Sequence, residues 1–448
     1  MRILIIGAGN AGQQLAERLL EDRHSIVMVD ADPDVLASVE SRLDVLTVAG
    51  QGSSPRVLSE AQVEKCDLVI SLTDRDEVNI LACLFAHGAG VPRKVARVTQ
   101  PDYIQSAGAF DLSAMGIDLV INQKLECARE IYNILQMPGA QEAFHLFNNK
   151  VIVAGFSITV MSPLYGRTPA ECERLDLIQS VRIIAIRRND ELVVPHGDTV
   201  FQKDDELYLV GKPPDVEAFF AWVSAGLKPF EKIIIAGGGD IGLMLAKMVE
   251  AKTECVLLEK DEARAKYCSG ELNKTLVLRG DALSDSVMDE AGLPENTAFV
   301  ALTGDDEDNI MGCLITQKRG AAFTVTQITR TDYVPVIEQL YLVNRVVSPY
   351  ISMTNAIIHY LRSHKIRTAS LLHNLPGELL DVTLGDGCKL IGKKIKEIKF
   401  PREAIIATVL RDGDVLTATG DLEFQLNDRV LIFSHPAAVK KIESMFLK

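Results

Sequence analysis

The sequence predicts an α/β protein assembled twice from the same two parts, a doubly wound parallel sheet followed by a small α+β lobe. Three observations carry this prediction. Short unbroken apolar runs, Ile3–Ile6 first among them, suit central strands of a parallel sheet, and stretches with helical spacing of apolar residues follow them. From Val151 onward the strand-like runs come close together instead, as in an antiparallel lobe. The whole pattern then restarts at Lys232, a period of roughly 230 residues that marks an internal duplication. The boundaries expected from this are 1–138 and 228–368 for the parallel-sheet domains, and 139–227 and 369–448 for the lobes.

The first strand ends in Gly7-Ala8-Gly9-Asn10-Ala11-Gly12, a G-x-G-x-x-G turn that runs directly into helical spacing over Ala11–Leu20. Such a turn needs glycine to bend, to let backbone approach a pyrophosphate and to pack helix on strand, while the helix start offers N–H groups to anionic oxygens. The next strand, Ser25–Val29, ends in Asp30, where an acid accepts the ribose hydroxyls of a dinucleotide. Together these predict a Rossmann-like nucleotide-binding unit, and Asp30 favours NAD over NADP because a carboxylate repels a 2′-phosphate.

Asp32-Pro33 opens the next helix, with proline where its missing N–H costs nothing. Strands are expected at Asp44–Val48, Leu68–Leu72, Lys94–Val98 and Leu119–Ile121, and helices at Arg56–Val63, Val78–Ala86 and Gln123–Leu135, the last stopped by Met137-Pro138-Gly139. Asp76 and Glu77 suit the positive end of their helix. On spacing alone Thr73 and Asp74 read as a helix cap and Arg97 as an exposed strand residue. In the lobe, strands are expected at Val151–Ala154, Val181–Arg187, Glu191–Val194 and Glu206–Val210. Asn189-Asp190 makes a hairpin turn, Gly197-Asp198 a further turn, and one helix lies between Thr168 and Leu175. Lys212-Pro213-Pro214 marks the exit.

The second half echoes the first position by position. Gly237-Gly238-Gly239-Asp240-Ile241-Gly242 answers the glycine turn, Glu259 answers Asp30, Asp261 answers Asp32 and Gly280 answers Gly50. Thr303–Asn309 answers Thr73–Asn79, and Thr329 with Asp332-Tyr333 answers Thr99 with Asp102-Tyr103. In the lobes Gly392 answers Gly166, Asp412-Gly413 answers Asn189-Asp190, and Gly420-Asp421 answers Gly197-Asp198. Four parts related this way favour packing of like on like. Two departures weaken the second pocket for a pyrophosphate. Asp240 replaces Asn10 and either places a carboxylate where the phosphate would lie or caps its helix, and Gln327 replaces Arg97 and removes a cation. Arg279, opposite Ala49, returns some positive charge.

Composition bounds the rest. A hydrophobic fraction of 47% with 24% charged residues is ordinary for a globular protein, and a formal net charge of -14 without a basic tract argues against nucleic acid. The eight cysteines include no C-x-x-C pair, so neither a disulfide framework nor a zinc site is expected and usage is cytosolic. Nothing approaches the eighteen or so apolar residues of a membrane span. A dehydrogenase needs an acid or base beside the nicotinamide, yet His196 and His435 form no recurring acid–base arrangement, and His145, His359, His364 and His373 read as surface residues near the domain joints. No nucleophile elbow, P-loop or zinc helix motif occurs, and the acidic run Asp305–Asp308 lacks EF-hand spacing and reads as a helix cap. The expectation is a nucleotide sensor, with an NAD-dependent dehydrogenase on a duplicated core as the alternative and no metal site.

These residues resemble the TrkA family. The resemblance rests on Gly7–Gly12 with Asp30, Thr73–Asn79 and Arg97–Tyr103, and on their echoes in Gly237–Gly242 and Asp305–Ile310, and it extends over essentially the whole length, both lobes included. It implies a peripheral, non-enzymatic subunit of a Trk potassium-uptake system with two tandem RCK (KTN) modules. It further implies a cytosolic homo-tetrameric ring of eight modules that docks on a TrkH/TrkG-type membrane channel subunit and changes its conduction with bound NAD(H) or ATP/ADP. A regulator of a potassium efflux channel is a third reading, which two complete modules disfavour. The family's nucleotide contacts would fall on Gly7, Ala8, Gly9, Asn10, Ala11, Asp30, Thr73, Asp74 and Arg97, and in the second module on Gly237, Gly238, Gly239, Asp240, Ile241 and Glu259.

Overall fold

The protein is described by a computed structural model over residues 1–446, apart from residues 22, 105–110, 138, 148–149, 173, 190, 224–229 and 365–376, and apart from the side chains of 141, 142, 144, 145, 359 and 362–364. It divides into two compact units, Met1–Tyr132 with Glu231–Tyr360, and Asn133–Phe230 with Leu361–Lys448, so like packs with like.

The first unit holds both parallel-sheet modules. In the first, β1 (Arg2–Ile6), α1 (Asn10–Glu21), β2 (Ser25–Asp30), α2 (Pro33–Glu40), β3 (Leu46–Ala49), α3 (Pro55–Glu60), β4 (Leu68–Ser71), α4 (Asp76–Gly88), β5 (Arg93–Arg97), α5 (Pro101–Ile104), β6 (Leu119–Ile121) and α6 (Gln123–Gln136) alternate. The sheet order is β3-β2-β1-β4-β5-β6, every pair parallel. Ile3–Ile6 are essentially sealed from solvent, as an unbroken apolar central strand requires. Asp32 caps α2 by accepting from Asp34 and Val35 N–H, with Pro33 in the first turn. The helix expected at Arg56–Val63 divides into α3 and a separate 3-10 turn, Val63–Lys65, because Gln62 takes a left-handed φ of 57°.

The lobe that follows contains β7 (Ala140–Leu146), β8 (Val151–Ser157), α7 (Leu175–Ser180), β9 (Arg182–Arg188), β10 (Glu191–Val193), β11 (Glu206–Gly211) and α8 (Pro213–Val223). The second module repeats the first as β12 (Lys232–Ala236), α9 (Asp240–Val249), β13 (Glu254–Glu259), α10 (Glu262–Glu271), β14 (Leu276–Arg279), α11 (Asp285–Ala291), β15 (Thr297–Ala301), α12 (Asp306–Lys318), β16 (Phe323–Gln327), α13 (Val334–Gln339), β17 (Arg345–Val347) and α14 (Pro349–His364). Its sheet order, β14-β13-β12-β15-β16-β17, is that of the first. The last lobe has β18 (Glu378–Thr383), β19 (Ala404–Arg411), β20 (Asp414–Thr417), β21 (Arg429–Ser434) and α15 (Val439–Phe446).

Two expectations for the first lobe need correction. Among the described residues, Thr168–Leu175 holds a 3-10 turn at Pro169–Glu171 and the first residue of α7, and the helices of the lobe are α7 and α8. Pro213-Pro214 begins α8 instead of marking an exit, since proline in a first helical turn gives up only N–H groups that lack intrahelical partners. The lobe also has an additional strand, β7, antiparallel to β8. The hairpin turn begins with Asn189 at φ 51°, as Asp412 does at φ 49° in the second lobe; Asp190, Pro138 and His373 lie outside the described residues, as do the side chains of His145, His359 and His364.

In the second unit the sheets β10-β9-β11-β8-β7 and β18-β21-β19-β20 bury one face against each other through Val151, Val153, Ile184, Leu379, Ile405 and Phe433. The opposite faces are covered by α8 and α15 respectively. Each lobe repeats one buried ion pair: Arg188 Nε donates to Asp205 Oδ1 at 2.7 Å, and Arg411 Nε to Asp428 Oδ1 at 2.8 Å. Among the described residues no helix is long and apolar enough to cross a membrane.

Within the first unit the modules meet along α6 and α14. Ser352 lies beside the Cys127 thiol and the Glu130 carboxyl, and burial pushes that carboxyl above the usual glutamate value. A raised acid favours its protonated form in the folded state, so its contribution to stability is present below the unfolded value and lost as pH rises through the folded one. Glu130→Gln is therefore expected to raise the melting temperature by a few degrees at about pH 8 and to leave it unchanged near pH 3, where both states are protonated. Calorimetric melts at the two pH values check this.

Candidate functional site

The first crevice, about 390 Å³, lies beyond the carboxyl ends of β1 and β4, where the strand order reverses. Gly7 takes φ 102°, which lets the chain turn sharply out of β1. Gly12 sits so close beneath this turn that a Cβ there would lie 1.9 Å from Gly7 O, so only glycine packs α1 against it. A Cβ on Gly9 would meet nothing within 4 Å, which leaves the turn open toward the crevice. Asp30, at the end of β2, accepts from Ala8 N–H at 2.6 Å and from Asp32 N–H at 3.0 Å, tying the turn to the acid that follows the second strand.

Thr73 and Asp74 do not cap α4, whose N-cap residue is Arg75 with no side-chain capping bond. Thr73 is instead held by Asn79, a fully buried residue that organises this edge. Asn79 Oδ1 accepts from Ser71 Oγ at 2.9 Å, Thr73 N at 2.9 Å and Thr73 Oγ1 at 2.7 Å. Its amide donates to Thr73 O and to Arg97 O, both at 2.9 Å. One side chain thus positions the ends of β4 and β5, and Arg97, half-buried, lines the crevice. Asp76 is buried beside it and accepts from Thr99 N and Gln100 N, tying α4 to the loop after β5.

Gly7, Gly9, Asn10, Ala11, Asp30, Thr73, Asp74 and Arg97 all line the crevice. Ala8 lies beneath its wall and serves through its N–H, while Gly12 serves by packing. Sequence reasoning missed Gln51, Arg75 and Tyr350, which also line it. Arg75 stood inside the motif; Tyr350 comes from α14 of the other module.

The second crevice, about 450 Å³, repeats the backbone. Gly237 takes φ 113°, Glu259 accepts from Gly238 N at 2.7 Å, and Asn309 joins Thr303 to Gln327 O as Asn79 joins Thr73 to Arg97 O. Gly237, Gly239 and Glu259 line it; Gly238, Asp240, Ile241, Gly242 and Arg279 do not. Asp240 does not cap its helix and has no side-chain capping bond. Its carboxylate accepts from Lys124 Nζ of the first module at 2.6 Å and from Arg264 at 2.9 Å, and these cations, Lys124 foremost, hold its carboxyl below the usual aspartate value. Arg264 also donates to Gly238 O at 2.5 Å. Arg279 returns no charge to the crevice, since it pairs with Glu262 at 2.7 Å. Asp305 caps α12 by accepting from Asp308 N at 2.9 Å, as the acidic run predicts.

The two linings differ in charge. The first sets Arg75 and Arg97 against Asp30 and Asp74, whereas the second sets Lys260 alone against Glu259, Asp281, Asp305 and Asp308. A dinucleotide phosphate meets a balanced field in one and an acidic field in the other.

The described geometry agrees with a family match in both parts of the repeat. The TrkA-N domain matches residues 3–123 and 233–349, and the TrkA-C domain matches 153–224 and 379–447. The chain belongs to the TrkA family. The Trk system potassium uptake protein TrkA of Halomonas elongata is 31% identical over 451 residues, covering 100% of this chain and 98% of that protein. A TrkA homolog of Methanosarcina mazei is 30% identical over 455 residues, with 100% of both chains covered. TrkA relatives are thus named for potassium uptake and not for a reaction. Among solved structures, the GsuK RCK domain superposes with a TM-score of 0.61 at 21% identity, covering 100% of this chain and 95% of that one. The GsuK channel bound to NAD gives 0.62 at 20% identity, covering 100% and 79%. At these identities the likeness is one of fold, and the fold of this TrkA-family chain is a duplicated RCK fold.

Proposed function

We propose that this chain is a nucleotide-sensing subunit that regulates potassium uptake through a TrkH/TrkG-type membrane channel subunit, and that its first crevice binds NAD(H), with ATP or ADP as competing ligands. The observation that carries the reading is Asp30, fixed at the end of β2 with its carboxylate 2.6 Å from the Ala8 nitrogen and lining the same crevice as the unobstructed Gly9. The residues fit the cofactor: the first turn of α1 offers N–H groups to a pyrophosphate, Arg75 and Arg97 add positive charge, and Asp30 accepts ribose hydroxyls and disfavours a 2′-phosphate. Neither histidine nor lysine is among the described residues that line this crevice, which supports sensing over hydride transfer. The second crevice takes a less anionic adenine ligand.

Two nucleotides that share a pocket but prefer different arrangements of the modules shift the equilibrium by their difference in affinity, about 1 to 3 kcal/mol for a typical coupled site. Linked modules multiply that effect. A homo-tetrameric ring of eight modules is supported by apolar residues exposed on equivalent helices, Leu81 and Phe85 on α4 and Met311 on α12, and by Leu340 and Tyr341 after α13. The ring would lie at the cytoplasmic face of the membrane, held there by its partner. The four-part division at 1–138, 139–227, 228–368 and 369–448 places one nucleotide domain and one lobe in each module.

The reading is tested by calorimetric titration of the full chain with NADH, ATP and ADP, and by following NADH absorbance in the presence of carbonyl compounds. Saturable binding with no consumption of NADH is expected; steady oxidation would restore the dehydrogenase reading. In a chain whose first site is silenced by Asp30→Ala, combining Asp240→Asn with Gln327→Arg is expected to raise dinucleotide affinity in the second module about tenfold, since one carboxylate is removed and one cation gained. Unchanged affinity would show that these groups do not limit the second pocket.

A further inference from the structure

Helix α6 begins two residues after β6 ends, and α14 begins two residues after β17 ends, so Lys124 and Tyr350 hold the same position in the repeat. Each crosses to the other module. Lys124 donates to Asp240 Oδ2 at the second glycine turn, and Tyr350 lines the first crevice, as Gly9, Asn10 and Ala11 do. Tyr350 is the one described residue of the second module in that lining.

In the second module the donor from the opposite helix meets an anionic oxygen, and the chain itself supplies that oxygen through Asp240. In the first module the equivalent residue is Asn10, which carries no charge, and the donor is a half-buried phenol. We propose that Tyr350 is a phosphate-binding residue of the first crevice, donating its hydroxyl hydrogen to an oxygen of a bound nucleoside diphosphate or dinucleotide. The first nucleotide site is then completed only by the second module, and its ligand bridges the junction between the modules. A hydroxyl suits this place because it contacts a phosphate without adding charge to a field already balanced by Arg75 and Arg97. In the second module Lys124 and Arg264 give their donors to the Asp240 carboxylate at the start of α9.

This inference rests on the reading of the first crevice as a nucleotide site, and the test separates the two. The full chain and its Tyr350→Phe variant are titrated calorimetrically with NADH, ADP and adenosine. Phenylalanine keeps the ring and removes only the hydroxyl. The expected result is an affinity for NADH and ADP about tenfold weaker in the variant, with adenosine unaffected because it has no phosphate. Equal affinities in both chains, or an equal loss for adenosine, would overturn the assignment of Tyr350 and leave the nucleotide site standing. An unsubstituted chain that binds neither NADH nor ADP would remove the site and the assignment together.

Discussion

Asp30→Ala is expected to weaken NADH binding about a hundredfold while the chain remains folded. The carboxylate accepts from Ala8 N–H and Asp32 N–H and still presents lone pairs toward the crevice. Hydrogen bonds that involve a charged group contribute about 1.5 to 3 kcal/mol each, so loss of the two to a ribose removes about 3 kcal/mol, or two factors of ten in affinity. The glycine turn also loses the acceptor that aligns Ala8. Asp30→Asn separates the two contributions, since its amide oxygen can still accept from the turn while the charge is gone; a loss of about tenfold is expected. Calorimetric titration with NADH measures both, and a melting curve for each variant confirms that the fold is intact.

Asn79→Ala is expected to destabilise the first module by about 3 kcal/mol and lower its melting temperature by about 6 to 10 °C. The substitution strips Ser71 Oγ, Thr73 N and the carbonyls of Thr73 and Arg97 of partners inside a region closed to water, and an unsatisfied buried polar group costs about 1 to 3 kcal/mol. Asn309→Ala should produce the same loss in the second module, because Asn309 repeats the bonds to Thr303 and to Gln327 O. NADH affinity should fall with Asn79→Ala, through Thr73 and Arg97, and should be unaffected by Asn309→Ala.

The parallel-sheet modules were legible in the sequence because their information is local. A buried strand, a glycine turn and an amphipathic helix are each written within about a dozen residues, and the restart at Lys232 confirmed the reading by repetition. The recurrence of asparagine at 79 and 309 was visible too, and was a signal that the residue holds something common to both halves. What could not be read was set by distant contacts. Strand β7 carries no clear alternation and exists because β8 pairs with it. Pro213 reads as punctuation although a first helical turn tolerates proline, and the apolar residues Phe219 and Phe220 that pull α8 onto the sheet are the better guide. Lys124 meets Asp240, 116 residues away in the chain, and only the three-dimensional exchange of α6 and α14 brings them together. The same exchange brought Tyr350 into a crevice whose other described walls all come from the first module.

Potassium transport connects the crevice to the cell. Rubidium uptake, as a tracer for potassium, is measured in cells that lack this chain and are supplied with either the unsubstituted form or Asp30→Ala at equal abundance. Nucleotide sensing by the first crevice predicts that the unsubstituted chain restores uptake and that Asp30→Ala restores little of it. Full and equal restoration by both would contradict it.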